Sequence, residues 1–250
     1  FIDVGQGNSA LLRFPAGKTM LVDGGGSFND RFDIGQRVIA PFLWHEKVGV
    51  IDVVVLTHPH PDHLNGLIYI LENFDVKEIW TNGETSSSEA WQKMISAVSR
   101  KGIRHCLLSQ KTHPEIAIGD VLIRVLNPPE PLDTTGMPSR KYMKTNNDAI
   151  ALKVTYGDNS ILLPADISEE TEETLAASDK NLKSRLMLVP HHGGYTSSTS
   201  SFLEKVRPEF AVISCGRDNA FGLPHPDVLD RYANMGTKLL RTDKHGAITF

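Results

Sequence analysis

Apolar and polar positions along this chain follow two periods, one near two residues and one near 3.6, and the switches between them divide it into strands and helices. Phe1 to Phe14 and Met20 to Val22 read as a hairpin, with Pro15, Gly17 and Lys18 as turn residues. Helical spacing follows over Asp33 to Trp44, carried by Ile34, Val38, Ile39 and Phe42. Pro41 falls inside that stretch and is expected to shorten or kink it. Ile51 to Leu56 is an apolar, β-branched run and reads as a buried strand. Leu64 to Phe74 is expected to be a helix, and Ile79 to Thr81 a short strand. Glu89 to Arg100 is expected to be a helix with Trp91, Ile95 and Val98 on one face. Arg104 to Leu108 and Val121 to Leu126 are further strands, and Asn127 to Lys144, rich in Pro, Gly and charge, reads as a surface loop near the site.

The second half repeats the order. Strands 149–156 and 160–164 form a hairpin around Gly157-Asp158-Asn159. Ser168, followed by Glu169, Glu170 and Glu172, starts a helix running to Ala177 with acid at its positive end. Strand 186–189, helix 200–206, strand 210–214, helix 226–234 and closing strands 238–241 and 247–250 complete the pattern. Each half opens with a hairpin and continues strand, helix, strand, helix. Two mixed sheets with helices on their outer faces bury both sets of strands, so the expected architecture is α/β, an αββα sandwich. No linker or low-complexity stretch separates the halves, and residues 1–250 are expected to be a single domain.

Chemistry concentrates in one place. His58-Pro-His60-Pro-Asp62-His63 puts four potential metal ligands into six residues, directly after the apolar run 51–56. Imidazole and carboxylate are the donor types that suit Zn²⁺ and similar first-row ions. Pro59 and Pro61 bias His58 and His60 away from helix, so the run is expected to be a fixed loop. Further candidate ligands recur at strand ends: Asp166 after Ile161 to Ala165, His191 and His192 after Leu186 to Pro190, and His225 after Phe221 to Pro224. Asp23, in an Asp-Gly-Gly turn, reads either as an outer carboxylate that orients an imidazole or as an ordinary turn aspartate. His45, His105, His113 and His245 have no ligand partners at suitable spacing and are expected to be surface or packing residues.

Bulk properties narrow the partners only slightly. The 250 residues are 40% hydrophobic and 22% charged, with a net charge of −4. That balance fits a globular domain and gives no global basic field for non-specific nucleic-acid binding. Bound divalent cations would still supply positive charge locally for a polyanion. Cys106 and Cys215 are expected to be core residues rather than a disulfide framework. No run approaches the roughly 18 apolar residues needed to span a bilayer. Starting at Phe1, already inside a strand-like run, the chain is expected to be a domain excised from a longer protein.

Thr57-His-Pro-His-Pro-Asp-His63 resembles the His-x-His-x-Asp-His motif of the metallo-β-lactamase superfamily. Phe1 to Gly7, Leu21 to Gly25, Asn147-Asp148, Leu162 to Asp166, Val189 to Gly193, Ile213 to Asn219 and Arg241 to Asp243 with Gly246 to Ile248 extend the resemblance nearly end to end. Together these segments are most similar to the C-terminal metallo-β-lactamase-like domain of ComEC-type competence DNA-uptake proteins. The resemblance implies two divalent metal ions, Mn or Zn, with His58 and His60 on one, Asp62, His63 and His192 on the other, and Asp166 bridging. It implies catalytic contributions from Asp62, from His191 at the scissile phosphate or leaving group, and from His225. Superfamily members often bring a third histidine to the first metal, where this chain has Asn146-Asn147-Asp148. That first site is therefore expected to be weaker or completed by water. Asn8 stands where the subfamily usually has Asp, and Leu223 where it often has His.

The implied function is a metal-dependent phosphodiesterase, a nuclease degrading one DNA strand during uptake by attack of metal-activated hydroxide on the diester. The expected partner is DNA, single-stranded, and the expected setting is a soluble domain on the extracytoplasmic side of a membrane protein. A hydrolase of small or lipid-linked phosphodiesters and a non-catalytic metal-binding domain are the alternatives. Arg140, Lys141 and Lys144 read as a nucleic-acid contact or a solvated face, and Tyr195 to Ser201 as a groove lining or a plain polar loop.

Overall fold

Two sheets face each other across an apolar layer in a computed structural model that describes residues 1–15, 17–26, 32–132 and 146–250. The first holds β1 (Ala10–Arg13), β2 (Thr19–Val22), β3 (Val50–Leu56), β4 (Asp75–Thr81) and β5 (Arg104–Leu107), in that order. The second runs β12-β11-β10-β9-β8-β7-β6, with β6 (Glu115–Ile118), β7 (Val121–Asn127), β8 (Ala151–Tyr156), β9 (Asn159–Leu163), β10 (Leu186–Leu188), β11 (Phe210–Ile213) and β12 (Lys238–Arg241). Helices α1 (Ala40–His45), α2 (Pro61–Asn73) and α3 (Glu89–Lys101) cover the first sheet; α4 (Glu169–Ala177), α5 (Ser200–Val206) and α6 (Pro226–Asn234) cover the second. A short α7 (Thr242–His245) follows β12. This is the αββα sandwich.

Strand β3 shows why its sequence carries no polar alternation. Val53 and Val55 face the opposite sheet with Met20, Val22, Leu152 and Leu188. Val54 and Leu56 pack under the helices with Leu64, Leu67 and Ile70. Both faces are covered, so both must be apolar. Strand β10 divides in the same way, Leu186 and Leu188 inward and Met187 towards the helices. Strands β2 to β5 and β9 to β12 run parallel within their sheets, whereas the β1–β2 and β6-to-β9 pairings are antiparallel.

Several expected elements move. The strand over Phe1 to Phe14 contracts to Ala10–Arg13. Gly5 and Gly7 take φ of 71° and 118°, which breaks extended pairing. A Cβ on Gly7 would lie 2.1 Å from the Asp62 carbonyl oxygen, so this loop is pressed onto the histidine motif. The helix expected over Asp33 to Trp44 is a π-helical turn, Gly35–Ile39, followed by α1, with Pro41 in its first turn where no N–H is required. Helix α2 begins at Pro61 rather than Leu64. The motif is therefore half loop and half helix, with Asp62 and His63 in the first helical turn. Strand β4 starts at Asp75, earlier than expected, and β6 was not anticipated because four alternating residues give little periodic signal. The closing strand at 247–250 does not form; α7 and Gly246 (φ 70°) redirect the chain. Ile248 instead exchanges hydrogen bonds with Phe1, donating at 2.9 Å and accepting at 2.8 Å. Arg140, Lys141 and Lys144 lie outside the described residues. Among the described residues no helix is long and apolar enough to cross a membrane.

Candidate metal centre

Every candidate ligand except His225, which caps α6 twelve residues past β11, lies just past the carboxyl end of a parallel strand or in the helix turn that follows. Asp23 follows β2, His58 and His60 follow β3, Asp62 and His63 open α2, Asp166 follows β9, and His191 and His192 follow β10. Crevices outside the carboxyl ends of parallel strands are where α/β folds gather sites. Asp62, His63, Asp166 and His192 each present one ligand atom, and these atoms all lie within 4.8 Å of one another. Asp166 Oδ2 is 3.2 Å from His63 Nε2 and 3.4 Å from His192 Nε2; Asp62 Oδ2 is 3.2 Å from His192 Nε2. His58 packs its ring against both His60 and His63, with centroids 4.5 and 4.2 Å apart.

The supporting shell fixes which nitrogen each imidazole presents. Asp23 is buried and accepts from the Thr57 backbone N–H (2.9 Å), the Thr57 hydroxyl (2.9 Å) and His63 Nδ1 (2.8 Å). Having given its proton to Asp23, the Thr57 oxygen accepts from His58 Nδ1 at 3.1 Å. His192 Nδ1 donates to the Ser214 carbonyl at 2.9 Å. Each of the three rings thus carries its proton on Nδ1 and turns Nε2 inward. His58 Nε2, His63 Nε2 and His192 Nε2 are all buried without a hydrogen-bond partner. Three orphaned imidazole nitrogens beside two carboxylates are the donor set of a first-row divalent cation, and the residues fit one.

Electrostatics agree. Burial holds His58 well below the ordinary imidazole value, with His63 adding to the effect, so its Nε2 lone pair is free. Burial also disfavours charge on His63 and His192, but Asp166 and its neighbours outweigh it, raising His63 well above the ordinary range and His192 to about 10. Burial pushes the Asp166 carboxyl up, yet His192 and His63 hold it well below the usual range. A cation between these groups replaces the extra imidazole protons.

Strain collects here as well. Asp23 (φ 58°), Ala165 (54°), His191 (49°) and His192 (54°) are non-glycine residues in the left-handed region, at a cost on the order of 1–2 kcal/mol each. The surroundings hold them there: the His191 N–H bonds the Ala165 carbonyl at 3.1 Å, and the Asp23 N–H bonds the Val55 carbonyl at 2.8 Å.

The remaining predicted site residues stand back from the cluster. The His191 and His192 ring centroids are 6.3 Å apart, and His191 Nε2 meets Asn146 Nδ2 at 3.2 Å. His225 caps α6, its Nδ1 accepting from the Asp227 N–H at 3.2 Å, and its ring packs against Tyr195 at 4.9 Å. Asn8 is buried and donates to Asp166 Oδ1 at 3.4 Å, which leaves Oδ2 directed at the imidazoles. Sequence reasoning anticipated Asp23 as an orienting carboxylate but assigned no role to Thr57, Ser214 or Asn146. Thr57 sits beside the motif and was within reach of inspection. Ser214 and Asn146 carry no local signal, because each meets its histidine only after the strands assemble.

Paired sheets, flanking helices and a buried His/Asp cage at the strand ends define a metallohydrolase-type sandwich. The chain matches the model of the Metallo-beta-lactamase superfamily over residues 2–217 and belongs to that family. It is 28% identical to ComE operon protein 3 of Bacillus subtilis (strain 168), over 100% of this chain and 32% of that protein. It is 32% identical to Competence protein ComA of Neisseria gonorrhoeae, over 99% of this chain and 31% of the other. The chain therefore spans about a third of the length of these relatives. Among solved structures, the metallo-beta-lactamase fold protein YhfI from Bacillus subtilis superposes with a TM-score of 0.56 at 11% identity, covering 96% of this chain and 94% of that one.

Proposed function

We propose that this domain is a metal-dependent phosphodiesterase that cleaves DNA, taken as a single strand, and that it serves DNA uptake as part of a longer membrane-embedded protein. In that setting it lies on the extracytoplasmic side. The observation that supports the reading most is the convergence of Asp62, His63, Asp166 and His192 with imidazole Nε2 atoms aimed into one buried cage. The competence relatives support the choice of DNA.

In this reading His58 and His60 would hold one divalent ion and Asp62, His63 and His192 the other, with Asp166 as the carboxylate shared by both. When bound, two such ions, Mn²⁺ or Zn²⁺, supply Lewis acidity for a phosphoryl group and acidify a water near neutral pH. The protein's own part is orientation. Asp23, Thr57 and Ser214 keep protons on Nδ1, and Asn8 steers Asp166. Among Asp62, His63, Asp166 and His192, Asp62 is the most open to solvent, its side chain 17% exposed. His225 commits Nδ1 to α6, which places its remaining ring proton on Nε2, free to meet a leaving oxygen. His191 stands beside the cage with Asn146 bracing Nε2.

The test is elemental analysis of the purified chain joined to hydrolysis of a single-stranded oligonucleotide with added Mn²⁺ or Zn²⁺. Cleavage is expected, abolished by His58→Ala or Asp62→Ala. Turnover of bis-p-nitrophenyl phosphate alone would replace DNA with a small or lipid-linked diester. Tight metal binding without turnover of either would overturn the enzymatic reading.

A further inference from the structure

The turn that carries His191 and His192 is held by groups that the metal chemistry does not use. Three of its non-glycine residues, His191, His192 and Ser198, sit in the left-handed region, at φ of 49°, 54° and 60°. Such backbone persists only where its surroundings over-determine it. Ser197 closes the turn. Its Oγ lies 2.9 Å from both the Pro190 and the Gly194 carbonyl oxygens, which bracket the histidine pair, and its N–H donates to Gly194 at 3.0 Å. Arg231 on α6 donates through one guanidinium nitrogen to the carbonyls of Ser197 (2.8 Å) and Ser198 (3.0 Å). The Tyr232 hydroxyl meets Ser198 Oγ at 3.1 Å.

The remaining hold comes from Glu172 on α4. Its side chain is buried, and its two oxygens accept from the Ser198 N–H and the Thr199 N–H, each at 2.6 Å. Two adjacent N–H groups gripped by one carboxylate fix the backbone of Ser198 between them. Helix α4 touches the turn a second time, where the Glu169 N–H donates to the Thr196 carbonyl at 2.8 Å. A buried carboxylate is costly unless its oxygens are satisfied. Burial pushes Glu172 above the ordinary carboxylate range, against the pull of the Thr199 and Ser198 N–H groups. A neutral amide of the same size would accept from only one of those groups and turn its NH₂ towards the other. The contacts run from Glu172 through Ser197 to the carbonyls on either side of His192, whose Nδ1 the Ser214 carbonyl holds at 2.9 Å. We propose that Glu172, acting through the Ser197 turn, is a positioning residue for His192 and sets the direction in which that imidazole meets a metal ion. The inference rests on the reading of His192 as a ligand and adds a residue outside the cage on which metal affinity depends.

The test combines Mn²⁺ and Zn²⁺ affinity by chelator competition, thermal melts, and the His192 Nδ1–H NMR signal with and without metal. Glu172→Gln and Ser197→Ala are each expected to weaken metal binding about fivefold, to shift that signal and to speed its exchange with solvent. The double variant should lose less than the product of the two losses, because both break one route. Glu172→Asp keeps both acceptor oxygens at a shorter reach and should lose about threefold; it carries the test if Glu172→Gln does not fold. Ile123→Ala, in the apolar layer between the sheets, is the control. It should lower Tm at least as far and leave metal affinity within about twofold, with the His192 signal in place. Native affinity and an unmoved His192 signal in the Glu172 variants would overturn the proposal. So would losses that multiply in the double variant, or an equal loss of affinity in Ile123→Ala. A native chain that binds neither ion removes the ligand reading itself, an outcome distinct from tight native binding that ignores Glu172.

Discussion

Asp23→Asn is the sharpest probe of the metal centre because it replaces one acceptor oxygen by an NH₂ donor and removes the ionisable group with almost no change in volume. The asparagine oxygen can still accept from the Thr57 N–H, 2.9 Å away in the native chain. Its amide nitrogen then takes the place of Oδ2, facing the Thr57 hydroxyl at 2.9 Å and His63 Nδ1 at 2.8 Å. Both were donors to Asp23. The conflict is relieved when His63 Nδ1 gives up its proton and accepts, which moves the ring proton to Nε2, the atom aimed at the cage. Disturbing an outer-shell partner of this kind costs 10–100-fold in metal affinity, or about 1.4–2.7 kcal/mol at 25 °C. At a metal concentration that saturates the native chain, that loss removes about 3–10 °C of metal-induced thermal stabilisation for a domain of this size. Thermal melts with and without Mn²⁺ or Zn²⁺, a competing chelator titration, and imidazole ¹⁵N shifts measure the three parts separately. Metal affinity within twofold of the native chain, with Nδ1 of His63 still protonated, would refute the tautomer argument.

Thr57→Val should act in the same direction: it removes the hydroxyl between Asp23 and His58 Nδ1, and roughly a tenfold loss of metal affinity is expected by chelator titration. For pH, His192 is raised to about 10 from 6.5 while Asp166 is held below 3.8. In the metal-free chain the histidine contribution is full below 6.5 and lost as pH rises towards 10; the aspartate contribution is present above 3.8 and lost on acidification. Urea unfolding without metal should therefore give its highest stability from this cluster between 3.8 and 6.5. Metal binding at pH 8 should release protons, seen as a buffer-dependent calorimetric enthalpy; no buffer dependence would contradict it. Gly7→Ala places a Cβ 2.1 Å from the Asp62 carbonyl at φ 118°, and should destabilise by about 3 kcal/mol or more, read from the urea midpoint. Leu67→Ala, beneath the Asp-Gly-Gly turn and fully buried, should cost about 2–5 kcal/mol and lower Tm without altering which metal binds.

Much was legible in the amino-acid order. The β3 run with both faces apolar, the hairpin of β8 and β9, and the helical spacing of α3 and α6 reflect local periodicity, which burial on a covered sheet imposes residue by residue. The compact motif from His58 to His63 announced metal chemistry because ligand types and spacing are covalent facts, and the Asp-Gly-Gly turn marked Asp23. Where local reading went astray, long-range contact had decided. Apolar residues in Phe1 to Phe14 resemble a strand, but Gly5 and Gly7 bend that segment over the Asp62 carbonyl. Asp62 and His63 joined α2 because the extended His60 can precede Pro61 at a helix start.

The chain order alone settled which groups exist and which end of each strand they leave from. It did not settle which nitrogen of each histidine faces inward. That choice belongs to Asp23, Thr57 and Ser214: Asp23 reaches His63 once β2 pairs with β3, Ser214 reaches His192 once β11 pairs with β10, and Thr57 adjoins His58 at the end of β3. Hydrogen-bond direction depends on ångström-scale distance and angle, and such distances between remote residues are properties of the packed sandwich rather than of any local stretch of sequence.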